Sequence, residues 1–276
     1  MRILLTGAGG QLGLAIRDVF VRHELLARMH AELDVADAAA VEATLAALRP
    51  ELVVNASAYT AVDRAEDEPA AAYRTNQAGP RVLAEATARR GLPLLHVSTD
   101  YVFDGEKGAP YLESDPTHPL GVYGASKLAG EEEVRRANPR HWIARTAWLY
   151  GPVGKNFALS IRAAAAREPK LRVVDDQWGS PSYAPHLAVA LERLLATDAY
   201  GTHHLANAGS TSRYEFARAL LAALGSQTPV EPVPTSAWPT RAKRPRNTAL
   251  ASERATGIAL PDWREGVRAW AASVEP

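Results

Sequence analysis

The stretch RILLTGAGGQLG, residues 2–13, decides the fold. Its first half is an apolar run typical of a buried parallel strand, and apolar residues then recur at helical spacing as far as Phe20. Gly7, Gly10 and Gly13 let the backbone turn sharply, approach a pyrophosphate closely and pack the helix on the strand. Their G-x-x-G-x-x-G spacing differs from the common G-x-G-x-x-G, whose third glycine would stand at Leu12. The stretch predicts a strand, a phosphate-binding turn and a helix.

Similar units follow along the first half of the chain. Strands are predicted at 25–28, 52–54, 92–98 and 142–147, with helices at 36–48, at 69–90 and from about Tyr123 between them. This alternation predicts an α/β protein with a Rossmann-type, doubly wound parallel sheet. Ligands of such sheets bind at the carboxyl ends of the strands.

The alternation breaks down after residue 151. We expect a helix over 156–166, a strand over 171–174 and helices over 185–195 and 212–224, followed by a stretch rich in proline. The second half therefore predicts a smaller C-terminal α/β lobe for substrate binding. The predicted division is a Rossmann domain over 1–151, joined by a segment near 171–200 that returns to the sheet, and a discontinuous substrate lobe over 152–276.

Composition excludes several classes of function. Thirty-one basic residues balance thirty-one acidic ones, so we expect no nucleic-acid partner. The absence of cysteine removes disulfides, thiolate zinc sites and cysteine nucleophiles. His203 and His204 lack the spacing of a helical metal site, so we expect them at a buried strand end and expect no metal. No run approaches the roughly 20 apolar residues of a membrane span, and the N-terminal run is too short for a secretory signal, so we expect a cytoplasmic protein without a membrane partner.

Tyr123 and Lys127 stand four residues apart in a predicted helix, so both side chains share one face. A free tyrosine has a pKa of roughly 10 and is a poor acid or base at neutral pH unless a nearby cation stabilises its phenolate. Lys127 is a candidate for that cation. The spacing also arises on solvated helix faces, so the pair alone establishes no function.

Other candidates follow the predicted strands at the ligand-binding edge. Asp34 and Val35 are placed to contact an adenine, although Asp34 serves equally well as the N-cap of the next helix. Arg28 and His30 are candidates for a 2′-phosphate, and the choice between NADPH and NADH stays open. Thr99 is either a hydrogen-bond donor beside the tyrosine-lysine pair or a strand-end hydroxyl bonded to backbone.

Four motifs in one order carry a resemblance to a known family. They are the glycine turn, NASA at 55–58, STD at 98–100 and the Tyr-x-x-x-Lys pair. With them the chain resembles the extended short-chain dehydrogenase/reductase superfamily and, within it, the dTDP-4-dehydrorhamnose reductase family. The segments similar to that family are the glycine turn, AVDRAE at 61–66, STDYVF at 98–103, RTAWLYG at 145–151, DQWGSP at 176–181 and RPRNTAL at 244–250.

The resemblance implies that NADPH or NADH reduces the C4 ketone of a small-molecule nucleotide sugar, a 4-keto-6-deoxy-L-sugar. Tyr123 would protonate the alkoxide, Lys127 would lower the pKa of Tyr123 and hold the nicotinamide ribose, and Thr99 would bond the carbonyl oxygen. The cofactor-binding residues it implies are Gly7, Gly10, Gln11, Leu12, Asp34, Val35, Ala56, Ser57, Ala58, Tyr123 and Lys127. The substrate-binding residues it implies are Val62, Asp63, Thr99, Asp100, Tyr101, Trp148, Asn156 and Arg244.

Two related activities fit the residues less well. Sugar-nucleotide 4,6-dehydratases carry a glutamate after Thr-Asp, and this chain has Tyr101 there, so the base for elimination is missing. Epimerases carry Asn-Val-Tyr-Gly after the fifth strand, where this chain has Trp148-Leu149-Tyr150-Gly151. The Trp148 indole suits stacking on a sugar or lining the pocket, or else belongs to the core. The candidates for the diphosphate are Lys155, Asn156, Arg244 and Arg246, of which Lys155 and Arg246 are explained almost as well as exposed charge.

Two other interpretations stay open. One is a non-catalytic regulatory subunit of the type found beside methionine adenosyltransferase, and the other is a reductase of another nucleotide-linked 4-keto-deoxysugar.

The resemblance also bears on assembly, because some bacterial members form dimers bridged by Mg²⁺ through glutamates, one of them on the first helix. This chain has Ala15 at that place, so we expect a monomer or a metal-independent homodimer.

Overall fold

The computed structural model describes residues 1–274, so the last two residues of the lobe predicted over 152–276 lie outside the described chain. Its strands are β1 (Arg2–Thr6), β2 (Glu24–Arg28), β3 (Leu52–Asn55), β4 (Leu94–Thr99), β5 (His141–Thr146), β6 (Leu149–Tyr150), β7 (Leu171–Val174), β8 (Trp178–Gly179), β9 (Ser182–Tyr183), β10 (Gly201–His204), β11 (Asn207–Ala208), β12 (Thr211–Ser212), β13 (Val230–Val233) and β14 (Leu260–Asp262). Its helices are α1 (Gln11–Val19), α2 (Ala38–Leu48), α3 (Val62–Ala65), α4 (Pro69–Tyr73), α5 (Gly79–Arg89), α6 (Val122–Ala137), α7 (Phe157–Ala165), α8 (Ala184–Leu195), α9 (Arg213–Ala223) and α10 (Trp263–Val274). A π-helical turn covers Arg74–Ala78, and 3-10 turns cover Asp100–Val102 and Thr235–Ala237.

A central parallel sheet has the strand order β2-β1-β3-β4-β5-β10. The order reverses at β1, which pairs with β2 on one side and β3 on the other. In doubly wound sheets the crevice at such a reversal, outside the carboxyl ends of the strands, is where ligands bind. The predicted Rossmann-type parallel sheet is confirmed, and its ligand crevice lies beside the glycine turn.

Both faces of this sheet are covered, which explains the unbroken apolar run of β1. Ile3 and Leu5 pack in one core cluster with α1 and α8. Leu4 points to the opposite face and packs in a second cluster with α2, α5 and α6. Because successive strand residues alternate between faces, a strand buried on both sides needs an apolar residue at every position.

The helix predicted over 69–90 is present in two parts, α4 and α5, joined by the π-helical turn. Asn76 in that turn is buried, and a Cβ added to Gly130 of α6 would lie 2.0 Å from the Asn76 carbonyl oxygen. The turn therefore lies directly on α6. Apolar periodicity did not predict it, because the same residues also fit an uninterrupted helix.

The chain returns to the sheet with only part of the segment expected near 171–200. Helix α8 packs on α1, and β10 adds a strand beside β5. His203 and His204 end β10 and are buried, as predicted. The strand predicted at 171–174 is β7, which pairs with β13 outside the central sheet. The division into two domains stays a prediction.

The second half has its own aromatic core, in which α9 and α10 pack around Tyr150, Phe216, Trp263 and Trp270. Short strand pairs, β6 with β9 and β8 with β12, hold the chain at 148–151 and 178–183 near the carboxyl ends of β4 and β5. Among the described helices, none combines the length and the apolar character that crossing a membrane requires.

Candidate active site

The glycine turn after β1 is shaped by close backbone contacts. Gly7 has a φ of +71°, and a Cβ there would lie 2.6 Å from the carbonyl of Ala56. A Cβ on Gly13 would lie 2.3 Å from the Gly7 oxygen. Within residues 1–274, no side chain caps the start of α1 after Gly10. The amides of its first turn therefore remain available to an anion such as the pyrophosphate of a dinucleotide.

Gln11 and Leu12 contribute differently to this turn. The Leu12 side chain is buried in the core, so only its backbone belongs to the turn. The Gln11 side chain accepts a hydrogen bond from Asn156 Nδ2 at 2.7 Å. Asn156 caps α7 by accepting from the Leu159 N–H at 3.0 Å, and it also donates to the Gly151 carbonyl. Asn156, a predicted substrate-binding residue, therefore links α7 to the cofactor turn.

The loop after β3 lies against the same turn. The Asn55 carboxamide accepts from the Thr6 hydroxyl at 2.8 Å and from the Ser57 N–H at 3.1 Å. Its Nδ2 contacts His96 Nδ1 at 3.0 Å. These bonds fix the half-buried stretch 56–58, which holds the predicted cofactor residues Ala56, Ser57 and Ala58.

Asp34 lies beyond β2 and is partly committed to other contacts. It pairs with Arg74 at 2.6 Å and accepts from the Ala36 N–H at 2.9 Å. Burial raises the pKa of Asp34, but these two partners outweigh it and the pKa is lowered overall. Helix α2 is capped by Asp37, whose carboxylate accepts from two backbone amides, so the N-cap interpretation of Asp34 is wrong. The neighbouring Val35 is buried.

Arg28 also lies beside the glycine turn, because its carbonyl accepts from the Ala8 N–H at 3.1 Å. Its own side chain donates to the Ala27 carbonyl at 2.8 Å. His30 is exposed two residues further on. Arg28 therefore borders the glycine turn, and a contact of Arg28 or His30 with a 2′-phosphate stays a prediction.

Tyr123 lies in the first turn of α6, beside the carboxyl end of β4. A Cβ on Gly124 would lie 2.1 Å from the Tyr101 carbonyl oxygen, so α6 packs directly on the turn that follows β4. The ring of Tyr101 meets that of Tyr123 edge-on, with centroids 5.6 Å apart. Burial raises the pKa of Tyr123 far above its ordinary value, and contact with the Thr99 hydroxyl opposes this only in part. Tyr123 is therefore held as a neutral phenol, which is a proton donor.

Thr99 ends β4 and lies beside Tyr123, and its role as a donor to a substrate oxygen stays a prediction. Its hydroxyl accepts from the Tyr101 N–H at 3.2 Å, which is the strand-end bond to backbone. It also donates to Asp100 Oδ1 at 3.1 Å and contacts Tyr123. The single hydroxyl proton must turn away from Asp100 before it can serve another oxygen.

Lys127 follows Tyr123 by one helical turn but is directed at the sheet. Its ammonium donates to the Val97 carbonyl at 2.6 Å. Burial lowers the pKa of Lys127 to about 8, and the nearby charge of Glu131 opposes this. The expected lowering of the Tyr123 pKa by Lys127 is not found, because burial dominates and the ammonium is directed at the Val97 carbonyl.

Glu131 extends the same helix face by another turn and is fully buried. It accepts two bonds from Arg145 of β5, at 2.9 and 2.7 Å, and one from the Ser98 hydroxyl of β4 at 2.5 Å. Burial raises the pKa of Glu131, but the Arg145 pair outweighs it, so the carboxylate stays charged. This pair fixes α6 against β4 and β5 under Lys127.

Asp100 is buried immediately after Thr99. It accepts hydrogen bonds from Thr99 and from the Thr248 hydroxyl, which connects the segment at 244–250 to the site. Burial raises the pKa of Asp100 to about 6, although these two bonds and the charge of Arg213 oppose the rise. Asp100 is thus a carboxylate at neutral pH that is weakly stabilised in its charged form.

Arg244 spans the substrate side of the site. It donates to Asp63 Oδ2 at 2.6 Å and to the Tyr101 hydroxyl at 3.2 Å. Asp63 also accepts from the Ala242 N–H at 3.1 Å. Val62 lines a small cavity together with Tyr101, Tyr123 and the segment at 242–245. Val62 and Tyr101 therefore line a cavity with Tyr123, and Arg244 and Asp63 are linked to it through the Tyr101 hydroxyl.

Comparison with known proteins places this geometry in a family. The family model described as RmlD substrate binding domain matches residues 1–275. The dTDP-4-dehydrorhamnose reductase of Sinorhizobium fredii is 40% identical, with 100% of this chain and 99% of that protein covered. The chain belongs to the dTDP-4-dehydrorhamnose reductase family. The Mycobacterium tuberculosis reductase is also similar, at 43% identity over 92% of this chain and 86% of that protein.

Solved structures of reductases in the family share the whole fold. The Bacillus anthracis dTDP-4-dehydrorhamnose reductase, solved in complex with NADP, superposes with a TM-score of 0.95 at 35% identity, and 98% of each chain is covered. The Clostridium acetobutylicum dTDP-4-dehydrorhamnose reductase gives the same TM-score at 36% identity, also over 98% of each chain. The predicted resemblance is confirmed at the level of this reductase family.

In this member of the reductase family, Trp148 follows β5 with a φ of +45°, an unusual conformation for a bulky residue. The guanidinium of Arg213 lies 3.5 Å from the ring centroid, so one face of the indole is already covered. Gly179 packs closely on the same indole. Lys155 and Arg246 are exposed, which agrees with the alternative that they are solubilising charge.

Three site residues of this reductase-family chain were missed from the sequence. Glu131 had a signal, because it continues the i, i+4 series of Tyr123 and Lys127. Glu66 accepts from the Val122 N–H at 2.8 Å and so caps α6, but its partner is a backbone amide distant in sequence. Arg213 lies on α9, and nothing in its neighbourhood along the chain connects it to Trp148.

Proposed function

We propose that the protein reduces the C4 ketone of dTDP-4-dehydro-L-rhamnose to dTDP-L-rhamnose. The observation that carries the proposal is that a neutral, half-buried Tyr123 phenol lies beside Thr99 at the ligand-binding edge of a sheet whose glycine turn fits a dinucleotide. The full-length match to the reductase family supports the sugar nucleotide as substrate. In the balanced reaction the ketone carbon gains a hydride and its oxygen gains a proton.

NADPH or NADH supplies the hydride when bound. The amides at the start of α1, which include those of Gln11 and Leu12, would hold its pyrophosphate after the bend at Gly7 and Gly10. The stretch 56–58, with Asp34 and Val35, would line the nucleoside. The NADP complex of the Bacillus anthracis reductase and the position of Arg28 support NADPH.

Tyr123 would deliver the proton to the oxygen that gains charge. Burial suits this role, because it keeps the phenol protonated until a developing alkoxide accepts the proton. A positioned acid of this kind contributes about 10² to 10⁴ in rate. Thr99 would turn its hydroxyl from Asp100 to the substrate oxygen and so stabilise the developing charge.

Lys127 would serve the cofactor more than the phenol. Its buried ammonium carries three donors and uses one on the Val97 carbonyl, which leaves donors for a ribose hydroxyl. The ion pair of Glu131 and Arg145 beneath it would hold α6 in place while ligands exchange.

The test is an assay with dTDP-4-dehydrorhamnose, made with the preceding epimerase, in which absorbance follows oxidation of NADPH or NADH. We expect rapid oxidation by the wild type and a loss of at least 100-fold in kcat for Tyr123→Phe. Tyr200→Phe is the matched control, since Tyr200 contacts Trp142 near the opposite edge of the sheet. No oxidation by the wild type contradicts the function, and full activity of Tyr123→Phe removes Tyr123 from its role.

The same assay separates the other interpretations. A regulatory subunit of the methionine adenosyltransferase type would bind the dinucleotide without turnover, and a reductase of another nucleotide-linked 4-keto-deoxysugar would turn over only that sugar.

We further propose a cytoplasmic protein that is a monomer or a metal-independent homodimer, supported by Ala15 on α1. Fractionation tests the location, and a dimer that sediments only without EDTA contradicts the assembly.

A further inference from the structure

Arg213 is a pocket cation that stacks on an aromatic ring and makes no salt bridge with the described carboxylates. It is the first residue of α9, and among the described residues no carboxylate lies within salt-bridge distance of its guanidinium. Its side chain instead lies 3.5 Å over the Trp148 ring and 5.2 Å from the centre of Phe157. A guanidinium has five N–H donors in a rigid fork, so donors in this position remain available to a ligand.

The surroundings of Arg213 place it in the substrate pocket. It faces the Tyr101 hydroxyl and the Asp100 carboxyl, and it is repelled by Arg244. Burial lowers the pKa of Arg213 to about 10, so it stays charged at neutral pH. Arg244 donates to the same Tyr101 hydroxyl at 3.2 Å. Both guanidinium groups therefore lie in the pocket near Tyr101, with Arg244 bonded to its hydroxyl and Arg213 stacked on Trp148.

The two arginines differ in how far the protein occupies their donors. Asp63 neutralises Arg244. Asp100 lies near Arg213 but is already bonded to Thr99 and Thr248 and does not reach ion-pair distance. Two neighbouring cations repel each other unless an anion lies between them. A phosphate suits the gap, because paired N–H donors of arginine match phosphate oxygens.

We propose that Arg213 binds the diphosphate of the nucleotide sugar, as the second arm of a clamp with Arg244, and contacts the phosphate bonded to the sugar. The sugar-linked phosphate is favoured over the nucleoside-linked one because Asp100 and Tyr101 follow Thr99 at the reaction centre. This role deepens the proposed function and rests on it for the identity of the ligand. Trp148 then acts as the support that orients Arg213, with one face used for cation–π stacking.

The experiment measures binding of dTDP, dTMP and thymidine to the full chain by calorimetry, without turnover. Arg213→Met keeps an apolar side chain against Trp148 and removes the charge, and Arg213→Lys keeps the charge without the fork. We expect Arg213→Met to weaken dTDP binding by about 10- to 100-fold, as for the loss of a charge-assisted hydrogen bond. Its dTMP and thymidine affinities should change less than threefold, and Arg213→Lys should recover part of the dTDP affinity.

Arg218→Met is the matched control, because Arg218 is exposed on the same helix and pairs with Glu215. Retained NADPH binding and thermal unfolding show that each variant is folded. Unchanged dTDP affinity in Arg213→Met overturns the clamp, and so does an equal loss for thymidine. Unchanged dTDP affinity with weaker dTDP-rhamnose binding also overturns it, since Arg213 would then contact the sugar. If dTDP binding depends on Arg213 while the reductase assay fails, the clamp stands and the proposed function falls.

Discussion

Arg244 and Asp63 bind each other at 2.6 Å, although each was predicted to bind the substrate. The pair connects α3 to the segment at 242–245, which covers the Tyr123 cavity. Asp67 binds Arg241, the residue just before this segment. Two acidic residues of one short stretch therefore hold the chain that covers the reaction centre.

The pair should matter for substrate binding more than for stability. Asp63 is about half exposed, and exposed ion pairs contribute roughly 0 to 1 kcal/mol. We expect Asp63→Asn to raise KM for the nucleotide sugar by about 3- to 10-fold with little change in unfolding, because Arg244 loses its orienting partner. The double variant with Arg244→Gln should bind no worse than Arg244→Gln alone. Additive losses would show that the two residues act independently.

Glu66 should control the position of Tyr123 through the start of α6. Its carboxylate caps the Val122 N–H, one residue before Tyr123. We expect Glu66→Ala to destabilise the protein by about 1 kcal/mol, the usual cost of a lost cap, and to lower kcat by at least 10-fold.

The matched control for this prediction is Asp37→Ala, which removes the cap of α2 away from the site. It should cost a similar free energy of unfolding, measured in urea, and leave kcat unchanged. Equal kcat losses in both variants would reduce the role of Glu66 to stability. Glu66→Gln retains an acceptor oxygen and should recover most of the activity.

Gly13→Ala should damage cofactor binding. The added Cβ would lie 2.3 Å from the Gly7 oxygen and 2.7 Å from the Ala8 Cα, and backbone atoms cannot give way cheaply. We expect NADPH affinity to fall more than 10-fold, measured by fluorescence titration. Gly91→Ala is the control, since its Cβ would meet nothing within 4 Å and only the φ of +64° is strained. It should cost about 1 kcal/mol of stability and leave NADPH affinity unchanged.

The sheet and much of the site follow from the sequence because their signals are local. The apolar run of β1, the glycines after it and the spacing of Tyr123 and Lys127 are each readable within a few residues. The predicted ligand edge then brings Thr99 and Tyr123 together, since parallel strands share one carboxyl edge. Local pattern and global fold agree at these positions.

The remaining features depend on partners that are distant in sequence. The direction of the Lys127 ammonium is set by the Val97 carbonyl, and the covering of Trp148 is set by Arg213 of α9. The raised pKa of Tyr123 comes from burial, which only the packed structure determines. The spacing of Tyr123 and Lys127 predicted that they share one helix face. It did not predict that burial, and not the Lys127 charge, determines the pKa of Tyr123.

Asp100 should make the free energy of unfolding fall as pH rises, which is the opposite of the usual effect of a carboxylate. Its folded pKa of about 6 exceeds the ordinary value of 3.8 for an aspartate, so the folded state holds the proton more tightly. Below about pH 4 both states are protonated and Asp100 has no effect, while between pH 4 and 6 stability falls as pH rises. At pH 7 Asp100→Asn should therefore raise the free energy of unfolding by about 1 to 3 kcal/mol. Urea unfolding at pH 7 and at pH 4 checks this, and an equal gain at both values contradicts it.

Lys127 should set the alkaline limit of activity. Burial lowers its pKa to about 8, whereas Tyr123, whose pKa is raised, stays protonated throughout the working range. The profile of kcat/KM for NADPH reports groups of the free enzyme. We expect it to fall as pH rises through about 8, because the neutral amine loses one donor and the charge that would attract the anionic cofactor.

Two variants test whether titration of Lys127 causes this alkaline fall in kcat/KM, the alkaline limb of the profile. Lys127→Arg keeps a permanent charge, so its lower activity should show no decline up to about pH 10. Tyr123→Phe should retain the limb near pH 8 in its residual activity. A wild-type profile that is flat to pH 9.5, or a limb that disappears with Tyr123, would falsify the assignment. The second result would mean that Tyr123 itself titrates near pH 8 in the free enzyme, and that the Lys127 charge acts on the phenol although its ammonium donates to the Val97 carbonyl.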